Sequence, residues 1–156
     1  MDEINDCFHA LDNRLEIKMT QQQHVSPSRN QESLYGLVGG ENGLSNLIKN
    51  FYDIIETDPA SNKLLLLHLR GQGVANSRLE QFNFLSGFLG GPKLYIEKHG
   101  HANVKFMHEH IEIDREVKDI WLKCMSTAID ETGLVTNTKD RLMSVFTLVA
   151  DRLVNH

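Results

Sequence analysis
A chain of 156 residues with 40% hydrophobic and 24% charged side chains can bury one sizeable core and has the make-up of a soluble globular protein. Its formal charge is −5 and its few Lys and Arg form no stripe, which argues against nucleic acid as a partner. The longest aliphatic run, Leu64–Leu67, is too short for a membrane span, and no basic-then-apolar leader opens the chain. Cys7 and Cys124 form neither a disulfide framework nor a paired metal motif, so two reduced thiols and a cytoplasmic location are expected.

Residues 1–33 read as an N-terminal extension. Ile4, Cys7/Phe8, Leu11 and Leu15 recur at three- and four-residue steps, which predicts a short amphipathic helix. Gln21–Asn30 is polar, carries Pro27 and has no period, so it reads as a linker. The compact domain is expected over 34–156. Its opening apolar piece, Ser33–Val38, is closed by Gly39-Gly40, a pair that permits a sharp reversal. A helix then carries Leu44, Leu47/Ile48, Phe51/Tyr52 and Ile55 on one stripe and ends at Asp58-Pro59. Leu64–Leu67 predicts a short helical turn, leading through His68 to the joint Gly71-Gln72-Gly73.

From Val74 a second stripe, Leu79, Phe82, Leu85 and Phe88/Leu89, predicts a helix stopped by Gly90-Gly91-Pro92. Asp114 reads as the cap of a helix whose stripe is Val117, Ile120/Trp121, Cys124/Met125 and Ala128. The last helix runs through Leu142, Val145/Phe146, Val149 and Leu153. No useful alternating segment occurs, so the fold class is all-α.

Four of the eight histidines, His99, His101, His108 and His110, fall within twelve positions. Imidazole suits zinc, copper and iron. Yet His108 and His110 are two apart, which on a helix turns them about 200° from each other. A shared ion therefore needs irregular backbone. Taken alone, His108 with Val104, Phe106, Met107 and Ile111 about it is equally a satisfied core imidazole or a surface one.

Phe51-Tyr52, the run Phe84–Tyr95 with its Gly90-Gly91-Pro92, Gly100-His101, His108–Ile113 and Asp119–Met125 together resemble the group II truncated haemoglobins in order and spacing. The similarity covers about residues 34 to 130. It implies a two-over-two helical sandwich enclosing haem b (iron protoporphyrin IX). By position, the resemblance makes His108 the proximal iron ligand, while His110 stands where the family usually has proline. Tyr52 and Trp121 match the distal tyrosine and tryptophan, donors to a bound ligand. His68 falls where the family carries tyrosine, phenylalanine or histidine, and Ser77 where other globins place a distal histidine. Gln81 lies one turn deeper, and a glutamine on that apolar face calls for a polar partner in the pocket.

Tyr95 and Lys105 are the implied propionate contacts. Phe51, Phe84, Met107 and Ile113 are expected against the haem, Met107 replacing an arginine common in the family. The joint between His68 and Val74 is two residues longer than in many relatives. So many donors predict tightly held, slowly released dioxygen or another diatomic ligand, at a pentacoordinate or reversibly hexacoordinate iron. The alternative is a haem enzyme for nitric oxide dioxygenation or peroxide chemistry, served by an external reductase since no flavin or nicotinamide motif is present. A haem-free structural or metal-chelating helical protein is the third class.

Overall fold
The structure, a computed structural model, describes residues 32–156. The helix expected over Ile4–Leu15 and the polar stretch after it lie outside the described residues. Ser33 caps α1 (Leu34–Leu37), its hydroxyl accepting from the Gly36 N–H at 3.1 Å. The reversal that follows places Gly39 and Gly40 at φ 103° and 64°, a region where a Cβ is strained. Next comes α2 (Gly40–Thr57), which buries Leu44, Leu47, Ile48, Phe51, Tyr52 and Ile55, the stripe the period predicts. Extended backbone at Asp58 ends it ahead of Pro59, and the Asp58 carboxylate accepts from Ala60 N–H at 2.9 Å to cap a 3-10 turn (Pro59–Ser61).

The Leu64–Leu67 segment is longer than the single turn expected. It belongs to α3 (Asn62–Arg70), in which Leu64 is buried while Leu66 and Leu69 face outward. Consecutive residues step by about 100° around a helix, so a run of leucines cannot all reach one core. After Gly73, α4 (Val74–Phe88) begins and ends where the sequence predicts. Its inward stripe differs by one residue: Leu79 is 52% exposed. Arg78 and Gln81 engage α2 instead, and their polar contacts set the rotation of the helix.

Two short helices follow, α5 (Leu94–His99) and α6 (Val104–His108). Asp114 caps α7 (Arg115–Asp130) as expected, its carboxylate accepting from Val117 N–H at 2.8 Å. The last helix, α8 (Thr136–Leu153), buries Leu142, Phe146 and Ala150.

No strand occurs among the described residues. Helix α2 packs on α4 and on α7, α7 packs on α8, and α4 carries α5. Two helix pairs thus stack on one another, the two-over-two sandwich that the resemblance implies. Two contacts hold its ends. Tyr35 N–H donates to the Leu89 carbonyl at 2.8 Å, and the Tyr35 ring lies so close to Gly91 that a Cβ there would come within 2.5 Å of it. At the other end Asn155 staples the segment after α6. Its amide nitrogen donates to the Ile111 carbonyl, its side-chain oxygen accepts from Ile113 N–H, and its backbone N–H donates to the Ile113 carbonyl, each at 2.9 Å. Among the described residues no helix is long and apolar enough to cross a membrane.

Candidate functional site
Helix α6 is barely more than one turn, opened by Asn103, whose side-chain oxygen accepts from Phe106 N–H at 3.0 Å. His108 is its last residue. The His108 Nδ1 lies 2.7 Å from the Val104 carbonyl, which can only accept, so Nδ1 carries the proton and Nε2 keeps its lone pair. Burial lowers the affinity of the ring for a second proton, and the His110 and His68 rings push the same way against the Val104 bond. A buried neutral imidazole with a free nitrogen is the form that ligates a metal.

His68, on α3, repeats the arrangement. Its Nδ1 donates to the Leu64 carbonyl at 2.8 Å, and burial keeps the ring neutral. It meets the Tyr52 ring edge-on, with centroids 5.5 Å apart.

Tyr52 is 1% exposed, and its hydroxyl donates to Gln81 Oε1 at 2.9 Å. Burial pushes the phenol far above its ordinary value, against the pull of the Arg78 guanidinium, so it stays protonated. The other end of the amide, Gln81 Nε2, is the one buried side-chain nitrogen or oxygen among the described residues with no partner. A donor so placed costs about 1–3 kcal/mol unless something accepts from it. It is the mark of a site that takes a ligand with a lone pair.

Phe51 links Tyr52 to Trp121, with centroids 5.1 and 5.4 Å away, and Trp121 rests on Phe146 at 5.7 Å. Ser77 is half-buried in the first turn of α4. Tyr52, His68, Gln81 and Trp121 are therefore joined through direct or single-ring contacts. A second group forms around Tyr95, which packs against Phe84 at 6.0 Å, His99 at 4.3 Å and His101 at 6.1 Å. Lys105 is exposed on α6, Met107 is half-buried, and Ile113 is 8% exposed beside the Asn155 staple. Phe106, expected about His108, is 55% exposed and lies against His101 instead. A residue two positions away on a helix points to the other side.

The four clustered histidines thus part company. His99 and His101 flank Tyr95, His110 is exposed, and His108 is half-buried with Nδ1 on the Val104 carbonyl and Nε2 free. Among the described residues no group of three or more His, Cys, Asp or Glu is placed to hold a metal ion. A metal at His108 must draw its other ligands from a non-protein group, as the iron of a porphyrin does. The residues present fit that group: one imidazole, aromatic walls and an unpartnered donor.

The bacterial-like globin family model matches residues 33–155. The chain belongs to that family. Within it, the chain is similar to the group 2 truncated haemoglobin YjbI of Bacillus subtilis, 34% identical over 116 residues that cover 74% of this chain and 84% of the relative. A cold-adapted truncated haemoglobin from Pseudoalteromonas haloplanktis superimposes with a TM-score of 0.75 at 32% identity, covering 80% of this chain and 99% of that one. A group II 2-on-2 haemoglobin from Agrobacterium tumefaciens gives 0.75 at 28%, covering 83% and 98%. This globin is a group II truncated haemoglobin, a haem-binding fold.

Two half-buried neutral histidines give this globin a definite acid response. Unfolded imidazoles take up protons near the ordinary value of 6.5, whereas His68 and His108 resist until lower pH. The unfolded chain then binds more protons, so stability is lost as pH falls through and below that value. The urea midpoint of the haem-free globin is expected to drop between neutrality and pH 5, and less steeply in a His68→Phe chain. An equal slope in the two chains would assign the acid response to other groups.

The sequence reading missed Arg78. Its guanidinium sits 5.2 Å from the centre of the Tyr52 ring and bonds Asp53 and Glu56 on α2. The available signal was weak: an arginine one turn before Gln81, and two acids one turn apart on another helix.

Proposed function
We propose that this globin holds haem b through His108 Nε2 and binds dioxygen, or another diatomic ligand, in the pocket of Tyr52, Gln81 and Trp121. When bound, the haem iron supplies the position at which such a ligand is held. The observation that carries this reading is the half-buried, neutral His108, its Nδ1 fixed on the Val104 carbonyl and its Nε2 lone pair free. Residues 34–156 are the working unit, with 1–33 as an extension.

The chain's own groups act on either side of that bond. The Val104 carbonyl holds the His108 ring in one tautomer. Tyr52 fixes the Gln81 amide through Oε1, which leaves Gln81 Nε2–H to donate to a ligand. Trp121 and Phe51 wall the pocket against water, and Ser77, being small, leaves its entry open. His68, also neutral with Nε2 free, is the side chain that would occupy the sixth position reversibly when no ligand is there. Lys105 and the Tyr95 hydroxyl are assigned to the propionates, and Phe84, Met107 and Ile113 to the haem faces and edge.

Absorption spectra of the purified chain in ferric, ferrous and carbonylated forms test the reading. A strong Soret band that shifts on carbonylation is expected; a colourless chain refutes it. Nitric oxide supplied with a reductant separates storage from catalysis. Consumption that stops at about one equivalent per chain marks a binding protein, while continued turnover assigns nitric oxide dioxygenation with an external reductase as partner.

A further inference from the structure
We infer that Arg78 is a positioning residue for the distal pocket, locking the Tyr52 phenol and thereby aiming the Gln81 amide at the ligand. The inference rests on the ligand-binding reading of that pocket.

Helix α4 touches Tyr52 at two points one turn apart. Gln81 takes the hydroxyl at 2.9 Å, and the Arg78 guanidinium carbon stands 5.2 Å from the ring centre. A cation over an aromatic face is attracted by the ring's negative π cloud, and the attraction grows when water is partly excluded. Arg78 is suited to that, since 29% of its side chain is exposed.

The guanidinium is itself fixed. Its Nη2 donates to Asp53 Oδ1 at 3.1 Å and to Glu56 Oε2 at 2.6 Å, and Asp53 is further held by Lys49 at 2.5 Å. Both acids belong to α2, the helix that carries Tyr52. The charge therefore ties α4 to α2 at the level of the pocket and sets a cation against the ring whose hydroxyl holds Gln81. An exposed ion pair alone would contribute little. Here the pair holds a cation against a buried ring, and that ring's hydroxyl holds the amide whose nitrogen is the one buried side-chain donor without a partner among the described residues. Without Arg78, α4 and α2 lose these ion pairs, the Tyr52 ring loses its cation, and the phenol that orients Gln81 is less firmly held.

The test uses the haem-loaded full chain as wild type, Arg78→Met, Arg78→Lys, Tyr52→Phe and the double Arg78→Met/Tyr52→Phe. Two readouts are taken, the oxygen off-rate and the C–O stretch of the carbonylated protein, which reports donors next to the ligand. Arg78→Met is expected to raise the off-rate about three- to tenfold and to broaden or shift the C–O band. Arg78→Lys, which keeps a charge, should recover part of both. In the Tyr52→Phe background Arg78→Met should add under about twofold, because it acts through the phenol.

An unchanged rate and band in Arg78→Met, or its full effect persisting without the phenol, overturns the inference. A colourless wild type would remove the haem reading instead. The link between Arg78 and the Tyr52 ring is then read from the urea midpoints of wild type, Arg78→Met, Tyr52→Leu and the double Arg78→Met/Tyr52→Leu, where strictly additive shifts overturn it.

Discussion

A His108→Ala chain is expected to fold and to purify without pigment. The His108 Nε2 is the free nitrogen of a half-buried, neutral ring, and no group of three or more ligating side chains among the described residues stands ready to replace it. His110 is exposed in the turn that follows α6. Loss of a bond to the metal should exceed the roughly 10–100-fold in affinity that removal of an outer-shell partner costs a metal site. The fold itself should survive, because α6 contributes little of the core: none of its five residues is fully buried. A retained far-UV helical signal checks this. Imidazole added to the medium should restore part of the Soret band in His108→Gly, which separates a missing ligand from a collapsed pocket. If the alanine chain keeps its ferrous spectrum, the proximal assignment is wrong and the distal roles lose their reference point.

The second large effect is expected on ligand release. In Gln81→Leu the pocket loses the amide hydrogen that has no partner within the protein. One hydrogen bond in a water-poor site contributes about 1–3 kcal/mol, so the oxygen off-rate should rise about ten- to a hundredfold. Tyr52→Phe should act in the same direction by a different route. It leaves Gln81 Oε1 without its donor, frees the amide to rotate, and adds a second unpartnered atom to a buried side chain. The phenylalanine chain should accordingly also lose about 1–3 kcal/mol of stability, read from its urea midpoint. Stopped-flow displacement of oxygen by carbon monoxide measures the rates. Identical off-rates in wild type and both variants would mean that neither side chain meets the ligand.

How far the sequence reached depended on how local the cause was. The stripes of α2 and α7 are set by spacing along one helix, and the structure buries Leu44, Leu47, Phe51, Val117, Cys124 and Met125 accordingly. The Asp114 cap and the Gly39–Gly40 reversal are also local, and both occur as read. Leu79 shows where periodicity fails. It continues an apolar pattern, yet α4 is rotated by contacts of Arg78 and Gln81 with another helix, and those depend on packing between segments that lie 22 to 29 residues apart.

The site was legible in part for the same reason. The need of Gln81 for a polar partner follows from its place among apolar residues. That its partner is Tyr52, and that the hydroxyl proton goes to Gln81, needed the tertiary structure. The histidines divide similarly. Their density was visible in the chain, but which ring is fixed with Nε2 free was decided by the short α6, whose Val104 carbonyl takes the His108 Nδ1–H.

The Asn155 staple carries a consequence for biosynthesis. Backbone amides of Ile111 and Ile113 lie within a few residues of His108, but the side chain that secures them stands 42 to 44 residues later. Protein emerges from the ribosome from its N-terminus, and a segment awaiting a distant partner stays unsecured until that partner is released. Helices α2 to α4 can associate early, whereas the segment after His108 is tied down only once Asn155 is free to fold back. Haem held through His108, as proposed, would then be secured only after translation has passed the last helix.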